Sequence, residues 1–177
     1  MRKLGDRRLR RNQKQFDKHR QLHRVLQKYG DDIMRSDNFM SSRDYVQHGS
    51  IPVRRHCIDV AKQSLLISKY LHIPVNEKEM VRGALLHDYF LYDWHEQAKI
   101  PGEPLHGFSH PATALRNAER DFTLTHREKD IIGKHMWPLT LSKIPKYRES
   151  WIVSLADKYC STLETLKLRK GAHIRRR

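Results

Sequence analysis

Between Ser50 and Pro74 the small and apolar residues Val53, Cys57, Val60, Ser64, Ile67 and Leu71 recur at steps of three and four. Only a helix returns such positions to one buried face. Ser50 and Pro52 open it in the order expected of a cap and an early proline. Shorter stretches repeat the theme. Phe16, Leu22, Val25, Leu26 and Tyr29 before Gly30 predict a first amphipathic helix stopped by glycine, with residues 1–15 frayed or solvated. A short second helix is expected over 31–46. Asn76 with Glu79 has the form of a capping box ahead of Met80, Val81, Ala84 and Leu85, and Thr125 with Glu128 repeats it. Between these two, Ser109 and Pro111 begin a helix that runs to about Asp121. The helix opened by Thr125 must finish near His135, because Pro138 follows. Pro145 then starts a last long helix, with Ile152, Leu155, Tyr159, Leu163 and Leu166 on one side. No run of alternating β-branched residues marks a strand. The expected fold is all-α, a bundle of six or seven helices.

At 177 residues the chain suits one domain with a real core. Its formal charge of +15 is unevenly spread. Residues 1–24 carry ten Lys/Arg against Asp6 and Asp17, and 167–177 carry six against none, which leaves 19 basic and 18 acidic residues in 25–166. A basic extension, a nearly neutral globule and a basic tail are therefore expected, divided at 24 and 166. No apolar run reaches membrane-spanning length, and charge occupies the place of a signal peptide's apolar region, so a cytoplasmic chain is expected. Two cysteines, Cys57 and Cys160, are too few for a disulfide framework and read as free thiols in the core. The basic ends invite a nucleic-acid or anionic-surface reading. Aromatic interleaving is absent there, however, and a solvated extension is the plainer view.

Twelve histidines are the unusual part of the composition. His87-Asp88 ends the apolar stretch Leu85-Leu86, where an ionised Asp is costly unless a cation or a hydrogen-bond network holds it. His56 lies on the helix that buries Val53 and Val60. His110 opens one helix, His135 ends the next, and Asp157 shares a face with Val153 and Cys160. Imidazole and carboxylate donors suit Fe, Mn, Zn or Co, and a set without thiolate argues against a structural zinc site. His56 is preferred to His48, which sits in a loop beside Gly49. The remaining histidines, His19, His23, His72, His126 and His173, read as surface or tail residues. Residues 92–108, rich in Gly and Pro, form a loop long enough to be functional.

The order His56, His87-Asp88, His110, His135, Asp157 resembles the metal site of the HD superfamily of metal-dependent phosphohydrolases, over roughly residues 46–166. With two further histidines between the HD pair and the last Asp, it resembles the subset containing HD-GYP phosphodiesterases and symmetrical diadenosine tetraphosphate hydrolases. That resemblance implies two divalent ions, iron or manganese first, with zinc, cobalt, nickel or magnesium as alternatives. It implies that His56, His87 and Asp157 hold one ion, that Asp88 bridges, and that His110 and His135 hold the other. The chain reads Met136-Trp137-Pro138 after His135 and lacks a Gly-Tyr-Pro motif, so cyclic di-GMP hydrolysis is not implied.

The implied activity is hydrolysis of a phosphate mono- or diester of a nucleotide or related metabolite by a metal-bridging hydroxide. Asp93, His95 and His106 in the long loop are expected to support Asp88 as hydrogen-bond partners or proton donors to the leaving group. Lys134 and Lys158, next to proposed ligands, and Arg54 are expected phosphate contacts, with Arg55 and Arg82 weaker ones. Trp94 and Trp137 are either core residues or an apolar wall for a substrate ring. Two other readings stand beside the hydrolase. One is a di-iron oxygenase, since some superfamily members use the same six ligands for that chemistry. The other is a non-enzymatic nucleic-acid-binding module acting through the basic ends.

Overall fold

The computed structural model describes residues 2–48, 50–93 and 106–166. Seven α-helices appear among them: α1 (Arg2–Arg35), α2 (Asp37–Ser41), α3 (Val53–Tyr70), α4 (Glu77–Leu86), α5 (His106–Asp121), α6 (His126–Lys134) and α7 (Arg148–Thr165). The all-α bundle expected from periodicity is what the chain forms. A 3-10 turn, Ser42–Asp44, leads into a ribbon of β1 (Val46–His48) and β2 (Ile51–Pro52), paired antiparallel with Val46 opposite Pro52. Strands of three and two residues are too short to leave a periodic signal.

The core lies where α3, α4, α6 and α7 meet. Met80, Val81, Ala84, Leu85 and Leu86 of α4 are fully buried, as are Val60 and Leu65 of α3, Ile131 and Ile132 of α6 and Val153 of α7. Burying a side chain of this size is worth about 1.5–3 kcal/mol, so this contact zone is the stable centre of the molecule. Gly83 makes the approach of α4 to α6 possible, since a Cβ there would stand 2.9 Å from the Cβ of Ile131. Across the same helices Arg82 is buried, with its Nε donating to Glu128 at 2.9 Å and a guanidinium nitrogen 2.7 Å from Asp32 of α1. It is therefore a structural clamp, with Nε and one terminal nitrogen committed.

The ends of the elements follow their caps. Thr125 and Glu128 form the full reciprocal box. At α4 only half forms. The Asn76 side chain accepts from Glu79 N, but the Asn76 N–H goes to buried Glu149 at 2.7 Å, and Glu79 pairs with Arg127 instead. Helix α5 begins at His106, earlier than Ser109, and Pro111 lies within it.

Three expectations about the N-terminal region need correction. Gly30 does not stop the first helix, because a Cβ there would collide with Leu85. The glycine marks a close helix contact, and α1 continues to Arg35. Residues 2–15 belong to α1, with no break between the basic extension and the bundle. Arg, Lys, Gln and Leu are good helix formers, and the packed half supplies the costly nucleus. The 31–46 segment divides into the end of α1, the short α2 capped by Ser36, the 3-10 turn and β1.

On α7 the buried side carries Ser150, Val153, Asp157, Cys160 and Glu164, while Leu155, Tyr159 and Leu166 are exposed. Of the expected row Ile152 is buried, and the rest of the buried side mixes apolar Val153, Ala156 and Cys160 with polar Ser150, Asp157 and Glu164.

Candidate metal centre

Helices α4 and α6 end in the same local device. Their apolar faces are driven into the core, and each helix stops at a histidine occupying the C-cap position, His87 and His135. In each ring Nδ1 lies 2.8 Å from the carbonyl oxygen three residues back, Ala84 and Ile132 respectively. Nδ1 donates, so the neutral ring carries its lone pair on Nε2, turned away from the helix. A hydrogen bond on one nitrogen that aims the other is how a metal-binding histidine is oriented.

His56 comes from the second turn of α3 and is treated similarly. Its Nδ1 lies 2.8 Å from Oε2 of Glu164, with both side chains completely buried. His110 comes from α5 and Asp157 from α7. The chain after α4 is redirected at Leu91, which has a φ of 61°, and the Asn117 amide donates to the carbonyls of Tyr89 and Phe90 at 3.1 and 3.0 Å. That pairing fixes the segment immediately after Asp88.

All six sequence-expected ligands meet in one buried cluster, centred on Asp88. Its Oδ2 is 3.3 Å from His87 Nε2 and 3.6 Å from His56 Nε2. Its Oδ1 is 3.2 Å from His110 Nε2 and 3.5 Å from His135 Nε2. One carboxylate oxygen thus faces each histidine pair. Asp157 Oδ1 completes the first group, 3.1 Å from His56 Nε2 and 3.7 Å from His87 Nε2. Donors bound to one cation at about 2.0–2.2 Å stand roughly 3.0–3.5 Å from each other, close to these separations.

Two atoms of the cluster, His87 Nε2 and Asp88 Oδ1, are buried with no hydrogen-bond partner among the described residues. The His110 and His135 Nε2 atoms are only 2.8 Å apart. Two lone pairs cannot face each other at that distance without a proton or a cation between them. Buried polar atoms without partners are rare, and this donor set could hold a metal ion.

The electrostatics differ across the cluster. Burial acts most strongly on His56, His87, Asp88, His135 and Asp157 and opposes charge in each. At His56 the carboxylates of Asp157, Glu164 and Asp88 outweigh it and hold the ring up at about 10. His87 is also raised, by Asp88 and Asp157. At His135 burial is joined by repulsion from His110 and His87, and the ring is pushed down to about 3. Asp88 and Asp157 stay well below the ordinary carboxylate range despite burial, because histidines surround them.

The other expected site residues that the structure describes are not among the clustered donors. Lys158 donates to the His135 carbonyl at 2.9 Å and to Ser154 Oγ at 3.1 Å, with its Nζ 4.0 Å from Asp157. Burial, outweighing Asp157 and Asp88, lowers its pKa. Lys134 pairs with Asp130 at 2.5 Å and lines a groove with Leu115 and Lys143. Arg54 is half-buried, its Nε without a hydrogen-bond partner among the described residues, and Arg55 pairs with Asp59 at 2.7 Å. Asp93 is half-buried shortly after α4. His95, Trp94 and the His48 and His106 side chains lie outside what the structure describes, as do His173 and the C-terminal tail. Trp137 packs against Trp151 with ring centroids 4.6 Å apart. Cys57 and Cys160 are buried free thiols, and His19, His23, His72 and His126 are exposed.

Sequence reasoning missed four supporting side chains. Gln47 Nε2 donates to Asp88 Oδ2 at 2.5 Å, and Ser161 Oγ donates to Asp157 Oδ1 at 3.2 Å. Ser154 Oγ lies 2.8 Å from the His135 carbonyl. Glu164, seven residues after Asp157, falls on the same helical face and was the one with a readable signal. Among the described residues no helix is long and apolar enough to cross a membrane. Comparison of the chain with protein-family models, with curated proteins and with solved structures found no match.

Proposed function

We propose that this chain is a metal-dependent phosphohydrolase of the HD type, holding two divalent cations and cleaving a phosphate mono- or diester of a nucleotide or related metabolite. The observation that carries the reading is Asp88, whose two oxygens face different pairs of inward-turned histidine Nε2 atoms. His56, His87, Asp157 and Asp88 would hold one cation, and Asp88, His110 and His135 the other. Iron or manganese is the first expectation for such a nitrogen and oxygen donor set.

Four and three protein donors would hold the two cations, and an octahedral iron or manganese ion would have positions left for water and a phosphate oxygen. When bound, the paired cations supply a nucleophile from water near neutral pH and neutralise charge developing on the phosphate. The protein's part is orientation. Glu164, Ala84 O and Ile132 O fix the three rings through Nδ1, and Gln47 and Ser161 hold the carboxylates.

The test is elemental analysis of protein purified without oxygen or chelator, followed by release of phosphate or nitrophenol from mono- and diester substrates under anaerobic conditions. About two equivalents of metal, reduced by His110→Ala or His135→Ala, and metal-dependent hydrolysis are expected. One equivalent insensitive to those substitutions would overturn the binuclear arrangement. Oxygen consumption with an organic substrate, in place of ester hydrolysis, would replace the hydrolase by the oxygenase. No metal after reconstitution would end the enzyme reading.

A further inference from the structure

Helix α1 is one unbroken helix of 34 residues, but its two halves behave differently. Leu22, Leu26, Gly30 and Ile33 are buried in the second half, and the last turns are tied to α4 through Gly30 on Leu85 and Asp32 on Arg82. Before Leu22 every described side chain is exposed, Phe16 and Lys18 among them. The first half therefore continues the packed second half as helix.

Its charges are ordered. At 3.6 residues per turn, Lys3, Arg7, Arg10, Arg11, Lys14 and Lys18 occupy helix positions within an arc of about 100° along roughly 22 Å. Asp6 and Asp17 fall outside that arc, and Asp17 already accepts from Gln13 at 3.3 Å. Like charges four residues apart repel by a few tenths of a kcal/mol per pair, and 3/7, 7/11, 10/14 and 14/18 are all such pairs. This half thus carries a repulsion that a linear polyanion would relieve.

We propose that the N-terminal half of α1 docks on the backbone of a nucleic-acid duplex, gripping phosphates without reading sequence. A helix fits the major groove of DNA, and one strand presents a phosphate every 3.4 Å of axis for a stripe of cations to follow. A lipid surface is a poor match, because only Leu4, Leu9 and Phe16 are apolar between residues 2 and 21 and Leu4 lies off the side shared by the other two. Single strands need stacking platforms, and Phe16, the sole aromatic before Tyr29, lies opposite the stripe. The interaction is independent of the metal centre.

The test is fluorescence anisotropy of the full chain with a short mixed-sequence duplex, as DNA and as RNA, between about 50 and 200 mM salt. Substituting Arg7, Arg10, Arg11 and Lys14 together by Gln, which preserves helix propensity, is expected to weaken binding more than tenfold at the lower salt. The slope of log affinity against log salt should shrink by about 3.6, at ~0.9 per phosphate contact. Metal content and circular dichroism should not change. The charge-preserving variant with Arg7, Arg10 and Arg11 as Lys should retain most of the affinity. A matched control substitutes the exposed Lys78, Lys143, Lys146 and Arg148 by Gln and should bind like the parent protein. Equal loss in that control would assign binding to net charge and overturn the proposal. So would an unchanged affinity in the arm variant, or attachment to phosphatidylserine vesicles with none to either duplex.

Discussion

The ends of α4 and α6 are built alike and charged unlike. Each presents a C-cap histidine whose Nδ1 is 2.8 Å from the carbonyl three residues earlier. Yet His87 is held well above its ordinary pKa, and His135 is pushed down to about 3. Their burial is the same, so it does not separate them. The neighbours do. His87 faces Asp88 and Asp157, whereas His135 stands among His110 and His87, and its carboxylates are weaker opponents. Local structure aims a nitrogen, and tertiary structure decides whether that nitrogen holds a proton.

The comparison can be broken at its centre. Asp88 serves both sides, so Asp88→Ala is expected to remove metal from both and to lower hydrolysis by at least the roughly 10²–10³ lost with one preorganised stabilising group. Metal analysis and initial rates on one preparation check this. Retention of metal on either side would show that Asp88 is not shared.

The acid-rich side can then be altered alone. Glu164→Gln keeps the shape of the side chain while removing the charge behind His56. Metal affinity is expected to fall about 10–100-fold, the usual effect of losing a partner behind a ligand. Competition against a fluorescent chelator measures it. An unchanged affinity would make Glu164 a packing residue only.

Metal-free protein should show the asymmetry as two pH limbs. His56, raised to about 10, contributes stability that is complete below the unfolded value near 6.5 and is lost as pH rises through about 10. His135, lowered to about 3, contributes stability that is complete above 6.5 and is lost as pH falls toward 3. Denaturant midpoints across pH should therefore decline on both sides of neutrality. Glu164→Gln should flatten the alkaline limb and spare the acid one. A single limb in the parent protein would contradict the assignment.

The smallest effect is expected on the histidine-rich side. Ser154→Ala removes a hydroxyl that lies 2.8 Å from the His135 carbonyl and 3.1 Å from that of Trp137. Lys158 still reaches the same His135 carbonyl, so the loss should be about 1 kcal/mol of stability with little change in metal content. Urea unfolding resolves that difference.

Much of this was legible beforehand because helices report themselves locally. Steps of three and four located α3, two capping residues located α6, and the apolar stretch before His87 announced a helix that buries its end. The six donors were readable as residue types on such faces. Gln47 was not, since it comes from a strand of three residues with no period to read. Gly30 was misread because a glycine that ends a helix and one that admits a neighbouring helix look identical in a chain. The exposed row on α7 failed for a related reason. Hydrophobicity indicates what can be buried, and here a mixed face carrying Ser150, Asp157 and Glu164 took the interior.

By itself the sequence determined an all-helical chain, where most of its helices start, and which histidines and aspartates stand at helix ends or on apolar faces, since each depends on neighbours within a turn or two. Only the tertiary structure decided that Asp88 divides its oxygens between two histidine pairs, that Glu164 stands behind His56, and that the basic segment is a helical continuation of a packed helix. Those relations join residues as much as 108 positions apart, and they exist only once the helices from α1 to α7 are packed together.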